Sequence, residues 1–116
     1  MSLQSVSPVQ ARDMMAKGAR LIDVRSASEF AGSHPVGAEN VPLGQIAGLK
    51  VNPGETVIFS CLSGGRTQMH AGQLAAVGGK KACVMAGGLS GWNLHGLPVA
   101  QEERQPSVFG RWFGSR

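Results

Sequence analysis

A chain of 116 residues with 42% hydrophobic and 16% charged residues is sized for one domain and is too apolar to be disordered. Its net charge of +4 comes from Lys and Arg residues scattered along the chain. This argues against a nucleic-acid-binding protein, in which basic residues are usually clustered. The first residues lack a signal-peptide pattern and no stretch approaches the roughly 18 apolar residues of a membrane span, so we expect a cytoplasmic protein.

Two helix starts come early in the chain. Ser7 can cap free backbone amides and Pro8 needs no donor at the first helical position, so a helix is predicted to begin there. The apolar run 19–25 is typical of a buried parallel strand with polar groups at its carboxyl end. Ser26 and Glu29 have the spacing of a capping box, which predicts a second, short helix.

The rest of the chain alternates between strand and helix signals. A proline-glycine turn at 52–55 leads into the clearest strand, Thr56 to Ser60. The other predicted elements are a very short strand at 40–42, a weak helix through Leu49, a helix from Gly65 to Val77, a strand at 81–85 and a short helix from Leu89 to Leu94, with loops at 32–37 and 96–99. Such alternation predicts an α/β fold with a parallel sheet and right-handed crossovers.

The composition changes after Ala100. Residues 101–106 are polar, whereas 108–113 are apolar and basic. We therefore place one domain at 1–100 and a tail at 101–116. The default interpretation of the tail is a frayed terminus. An amphipathic docking segment and the stub before a membrane anchor are the alternatives, so membrane association through the tail stays open.

The segment that carries chemistry is Ser-Cys-Leu-Ser-Gly-Gly-Arg-Thr at 60–67, between the predicted strand and helix. Cys61 faces free backbone amides and the positive end of a helix dipole, which can lower a thiol pKa from about 8.5 by one to several units. The two glycines let successive amides converge on one point above the sulfur. Arg66 adds a permanent charge and Thr67 can line the helix start, so the loop predicts a small anionic ligand.

With this loop, the sequence resembles the single-domain type of rhodanese-like sulfurtransferases over about residues 5–99. The most specific element is Cys-x-x-Gly-x-Arg-Thr at 61–67. The supporting elements follow in the family's order at 21–25, 29–30, 37–42, 87–92 and 96–99. The resemblance implies a rhodanese-like α/β fold, with a parallel β-sheet of about five strands flanked by helices on both faces.

The same resemblance implies a reaction. Cys61 would take a sulfane sulfur from thiosulfate or a similar donor, carry it as a persulfide and pass it to cyanide or a thiol acceptor. The loop would bind the substrate through Leu62, Ser63, Gly64, Gly65, Arg66 and Thr67. Asp23 and Arg25 would give structural support beneath the loop. The scheme needs no cofactor and no metal, and its partners are the small anionic donor, the acceptor and, in a relay, an acceptor protein.

Two positions depart from the family pattern. The family usually has His-x-Pro-Gly-Ala where this chain has His-Pro-Val-Gly-Ala at 34–38, so Pro35 has moved by one position and His34 is given no role. Leu62 stands where many relatives have a polar or basic side chain, which leaves the donor preference open. Cys83, inside an apolar strand, is interpreted as a packing residue and not as a disulfide partner.

Three other functions stay open. A cysteine phosphatase has five residues between its Cys and Arg, whereas four separate Cys61 from Arg66, which predicts a narrower cradle. A rhodanese-like binding module without turnover often lacks the cysteine that this chain retains. A relay protein would keep the persulfide and pass the sulfur to another protein. The enzymatic prediction fails if the sulfur is buried in apolar packing, or if the neighbouring amides are turned away from it.

Overall fold

The structure, a computed structural model, describes residues 3–102 and is built on a parallel sheet. Five strands lie in the order β1-β6-β5-β2-β4, and every neighbouring pair is parallel. Their bounds are Gln4–Val6 (β1), Arg20–Asp23 (β2), Glu39–Asn40 (β4), Val57–Ser60 (β5) and Cys83–Met85 (β6). Two further strands, His34–Pro35 (β3) and Val99–Ala100 (β7), form a separate antiparallel ribbon. The predicted five-stranded α/β fold is confirmed.

Helices connect the strands; the predicted serine cap at Ser7 and the predicted capping box at Ser26 are both formed, and the cap at Ser7 is also a capping box. At the first, the Ser7 hydroxyl accepts from the Gln10 amide while the Gln10 side chain accepts from the Ser7 amide. Ser26 and Glu29 repeat the arrangement at the second helix. The helices are Pro8–Ala16 (α1), Ala27–Gly32 (α2), Gly65–Met69 (α3), Ala71–Gly78 (α4) and Gly88–Leu94 (α5), with a 3₁₀ helix at Leu43–Gly48.

Each face of the sheet is covered by its own apolar cluster. Successive side chains of a strand point to opposite faces, so Leu21 and Ile22 of β2 belong to different clusters. Leu21 packs with residues of α1 and α5, and Ile22 packs with residues of α4 and the 3₁₀ helix. Helices therefore lie on both faces, as predicted, and the strands that position the loop are buried on both sides.

Three local predictions were wrong. β1 was not predicted, because it has only three residues and two of them are exposed. The ribbon of β3 and β7 lies where loops were expected, since two-residue strands show no periodicity. The helix predicted from Gly65 to Val77 is divided at His70, although the apolar spacing continues across the division.

The amino-terminal ends of the strands carry a separate polar cluster. The Arg20 guanidinium donates to both carboxylate oxygens of Glu39 at 2.8 Å and to Glu55 at 3.1 Å. Within residues 3–102, no helix is both long and apolar enough to cross a bilayer. Apart from Gln101 and Glu102, the predicted tail lies outside the described residues.

Candidate active site

The candidate site lies at the carboxyl edge of the sheet, where two neighbouring strands end together. Asp23 of β2 pairs with Ser60 of β5, and the Val24 amide donates to the Ser60 carbonyl at 2.9 Å. Cys61 follows β5 directly, and Arg25 comes two residues after Asp23. Parallel strands bring their carboxyl ends to one edge, which is where α/β folds place their chemistry.

Backbone amides face the Cys61 sulfur. Cys61 is 1% exposed and belongs to the apolar cluster that includes Leu74 of α4, so its side chain is partly packed among apolar groups; its sulfur is nevertheless hydrogen-bonded, because the Gly64 amide donates to Sγ at 3.1 Å. Burial raises the pKa of the thiol, but hydrogen bonding from the Thr67, Gly64 and Arg66 amides and from the Thr67 hydroxyl lowers it by more. The pKa of Cys61 therefore lies below its ordinary value. The sulfur is covered, but its surroundings stabilise an anion.

The loop conformation depends on glycine and on Thr67. Gly64 has φ +102°, in the left-handed region that favours glycine, and this bend turns its amide back toward Cys61. The Thr67 hydroxyl, 3.9 Å from Sγ, donates to the Gly64 carbonyl at 3.0 Å. Thr67 is 1% exposed, so this hydrogen bond closes the loop from the inside.

Backbone amides near the start of α5 hydrogen-bond to carbonyls of the Cys61 loop and fix its position. The Leu89 amide donates to the Cys61 carbonyl at 2.9 Å, and the Ser90 amide donates to the Leu62 carbonyl at 2.8 Å. Gly88 packs so closely that a Cβ there would overlap the Cys61 carbonyl oxygen. The sequence predicted a family element at 87–92 and a short helix from Leu89, but not the contact with the Cys61 loop, which the two leading glycines could have signalled as a close backbone approach.

Arg66 is already paired. Its guanidinium donates to both oxygens of Glu29, each at 2.8 Å. Hydrogen bonds from Arg66, followed by one from the Ser26 amide, lower the pKa of Glu29 to about 2. Arg66 was predicted as a substrate contact, whereas Glu29 was noted as a helix cap and as part of the family element at 29–30. The two residues are 37 positions apart, and nothing local in the sequence links them.

Asp23 and Arg25 form a buried ion pair at the same edge. Arg25 donates to Asp23 at 2.8 Å, with Asp23 0% and Arg25 3% exposed. Arg25 also donates to the Ser33 carbonyl, and the side-chain amide of Asn40 donates to the backbone carbonyls of both Asp23 and Arg25. These hydrogen bonds tie the end of β2 to the segments that carry β3 and β4.

The other residues that the sequence analysis discussed are either exposed at the surface of the Cys61 loop or buried in the core. Leu62 is 43% exposed, and Ser63 and Gly65 are exposed beside it. His34 is buried, stacked on Phe30, with Nδ1 2.7 Å from the Phe30 carbonyl oxygen. Cys83 is buried in the cluster of α1 and α5, where burial raises its pKa, and neither cysteine is in a disulfide.

A family model described as the rhodanese-like domain matches residues 7–95. The chain belongs to the rhodanese-like domain family. The match contains the Cys61 loop, both capping boxes and the α5 segment that holds the loop. The resemblance seen in the sequence is therefore confirmed.

Curated relatives of this rhodanese-like domain share moderate identity over most of its length. "Thiosulfate sulfurtransferase GlpE" of Haemophilus influenzae is 36% identical over 102 residues, which cover 85% of this chain and 96% of the relative. "Thiosulfate sulfurtransferase 18" of Arabidopsis thaliana is 29% identical over 120 residues, covering 90% and 88%. The solved thiosulfate sulfurtransferase from Pseudomonas aeruginosa superposes with a TM-score of 0.74 at 23% identity, which shows the same fold. The superposition covers 87% of this chain and 20% of the Pseudomonas aeruginosa protein.

In this rhodanese-like domain, the Cys61 thiol has a lowered pKa, and main-chain amides of a partly exposed loop donate hydrogen bonds to its sulfur. A thiolate in such a place is a nucleophile at neutral pH.

Proposed function

We propose that this protein is a sulfurtransferase that carries a sulfane sulfur as a persulfide on Cys61. The donor is thiosulfate or a similar small anion, and the acceptor is cyanide or a thiol, including a thiol of another protein. The observation that carries the proposal is the Gly64 amide donating to Cys61 Sγ in a loop that lowers the thiol pKa despite burial. Relatives named thiosulfate sulfurtransferases support it.

The reaction has two half-reactions. The Cys61 thiolate attacks the sulfane sulfur of the donor, the donor's S–S bond breaks, and sulfite leaves with the bonding electron pair. The acceptor then attacks the outer sulfur of the persulfide, and Cys61 leaves as the thiolate again. The charge on sulfur stays within reach of the Gly64 and Thr67 amides in both steps, so one set of donors serves both.

Burial of Cys61 fits transfer at the outer sulfur. At 1% exposure, the thiol itself offers little surface to a bulky acceptor. Once loaded, the reactive atom lies about 2 Å beyond Sγ. A reducing compartment such as the cytoplasm, where we place the reaction, keeps the unpaired thiols of Cys61 and Cys83 available.

Intact-protein mass spectrometry tests the proposal directly. After incubation with thiosulfate and removal of excess donor, we expect the protein to gain the mass of one sulfur atom. Cys61→Ser should show no gain, while the matched control Cys83→Ser should load like the unchanged protein. Cyanide should then remove the added mass and release thiocyanate. Identical spectra before and after thiosulfate would overturn the proposal.

The phosphatase alternative is disfavoured by the acidic side chains. The chain has two aspartates, and neither is placed as a free acid over the Cys61 loop. Asp23 is 0% exposed and paired with Arg25, and Asp13 lies on α1 beside Arg12. Comparing turnover of an aryl phosphate with turnover of thiosulfate and cyanide separates the two activities. Preference for the phosphate would favour a phosphatase.

A binding module and a relay protein predict other outcomes of the same mass experiment. A module without turnover would show no sulfur gain on Cys61. A relay protein would load fully, transfer slowly to cyanide and transfer quickly to an acceptor protein. The lowered pKa of Cys61 favours the two functions that use the thiolate.

A further inference from the structure

All four lysines of the chain are exposed and lie near the amino-terminal ends of the parallel strands. Lys17 comes before β2, Lys50 before β5, and Lys80 and Lys81 before β6. Neighbouring parallel strands begin at the same edge of a sheet, so the fold collects at this edge lysines that are scattered along the chain. The Cys61 loop lies at the opposite edge, where the same strands end.

Carboxylates do not neutralise this group of lysines. Among residues 3–102, every arginine is in an ion pair with an aspartate or glutamate, whereas no lysine is. The two glutamates at this edge of the sheet, Glu39 and Glu55, are both bound by Arg20. The four lysines and Arg20 therefore meet two carboxylates, which leaves a net charge of +3 at the amino-terminal edge.

Residues 53–55 of the turn before β5 line two cavities, of about 560 and 410 Å³. The larger cavity combines Lys17 with the apolar side chain of Met14, and the smaller one combines Lys81 with Val51. The Lys81 ammonium group donates to a carbonyl of the turn at 3.4 Å, which places it at the cavity wall. Cavities of this volume are large enough for side chains of a bound peptide. Each of them offers apolar surface beside an ammonium group.

We propose that a surface formed by the turn before β5 and by four side chains, which we call the lysine face, is a docking site for an acidic segment of a partner protein. The four side chains are Lys17, Lys50, Lys80 and Lys81. Carboxylates of the segment pair with the lysines, and its apolar side chains enter the two cavities. The Cys61 loop, at the opposite edge of the sheet, stays open while the partner is held. Docking needs no sulfur chemistry, so this inference goes beyond the proposed function.

The lysine face fits protein carboxylates better than a nucleic acid or a membrane. Phosphate groups are matched best by the forked guanidinium of arginine, and every arginine among residues 3–102 is already bound to a carboxylate. Unpaired bases stack on aromatic side chains, but the described ones, Phe30, Phe59 and Trp92, are buried. Insertion into a membrane surface needs large exposed apolar side chains, and none of those in the described part of the chain lines either cavity.

Fluorescence anisotropy with a labelled peptide of Glu-Glu-Leu repeats tests the lysine face. The unchanged protein should bind this peptide, and binding should weaken as salt is added. Lys81→Gln should weaken binding by roughly threefold, and its combination with Lys17→Gln by roughly tenfold, because one ammonium group is then lost from each cavity. The control Gln101→Glu changes the net charge as Lys81→Gln does, at an exposed position outside both cavities, and should leave binding unchanged. All these variants should melt like the unchanged protein, since the substituted side chains are exposed.

Two further measurements separate docking from general attraction between charges. A peptide of Glu-Glu-Ser repeats should bind more weakly, because serine does not fill the cavities, and thiosulfate should load Cys61 equally fast with the Glu-Glu-Leu peptide bound. The inference is overturned if the unchanged protein binds neither peptide, if it binds both equally, or if Gln101→Glu weakens binding as Lys81→Gln does. Tighter lysine-dependent binding to duplex DNA or to phosphatidylserine vesicles would overturn it as well, and so would a bound peptide that blocks loading. Peptide binding is measured without a sulfur donor, so a failure of sulfur transfer would leave this test unaffected.

Discussion

Replacing Gly88 by alanine would separate the start of α5 from the Cys61 loop. Gly88 has φ +53°, and an added Cβ would lie 2.8 Å from the carbonyl carbons of Cys61 and Leu62, besides overlapping the Cys61 oxygen. These neighbours are backbone atoms and cannot rotate away. The loop or the helix start must move, which strains the hydrogen bonds from Leu89 and Ser90.

The magnitude follows from two costs. A residue with a side chain in the left-handed region costs about 1–2 kcal/mol. Overpacking a tightly packed site costs about 1–3 kcal/mol more, so the free energy of unfolding should fall by about 2–5 kcal/mol. For a domain of this size, the melting temperature should fall by roughly 10 °C or more. The Gly64 amide should also move off the sulfur, which raises the pKa of Cys61 toward its ordinary value.

Two measurements are needed: thermal unfolding, and the rate of Cys61 alkylation by iodoacetamide as a function of pH. Gly96→Ala is the matched control, because Gly96 has φ +67° and open space around its Cβ position. It should show the conformational cost alone, with the alkylation profile unchanged. If Gly88→Ala melted like Gly96→Ala and kept the alkylation midpoint of the unchanged protein, the argument that α5 holds the loop would be wrong.

Other substitutions test single contacts. Thr67→Val removes the hydroxyl whose hydrogen bond to the Gly64 carbonyl holds the loop amides around Sγ, so the alkylation midpoint of Cys61 should rise; a constant midpoint would exclude that role. Arg25→Met leaves Asp23 buried without its partner and should cost about 3–5 kcal/mol in urea unfolding, whereas a loss below about 1 kcal/mol would contradict the burial argument. The pKa of Glu29 falls from 4.5 to about 2 on folding, so its stabilisation is present above pH 4.5 and is lost as the pH falls toward 2. Unfolding free energies over this range should therefore depend less on pH in Glu29→Gln, and an equal slope would count against the pair.

Local signals predicted the parts of the fold that depend on neighbouring residues. The predicted serine cap at Ser7 and the predicted capping box at Ser26 are both formed, because each depends on residues within three positions of its serine. The strand before Cys61 could be predicted from a short apolar run that a turn precedes. The glycine at position 64 predicted the bend that turns an amide toward the sulfur.

Contacts between distant segments could not be predicted in the same way. The partner of Arg66 lies 37 positions earlier, and Glu29 already had a sufficient local explanation as a cap. The two carbonyls of the loop are bound by amides of α5, and backbone amides leave no trace in side-chain identity. The β3–β7 ribbon has too few residues for a pattern, and its pairing depends on where the rest of the chain brings them.

The first strand has a consequence for handling the protein. β1 lies outside the segment 7–95 that matches the family, yet it pairs along the whole of β6, and its Val6 carbonyl accepts from the Ala86 amide. Without residues 4–6, the backbone groups of an apolar strand would be open along the sheet edge. Uncovered edges of this kind recruit other chains. Trimming the protein to its family boundaries should therefore favour self-association and precipitation, even though every residue of the Cys61 loop is kept.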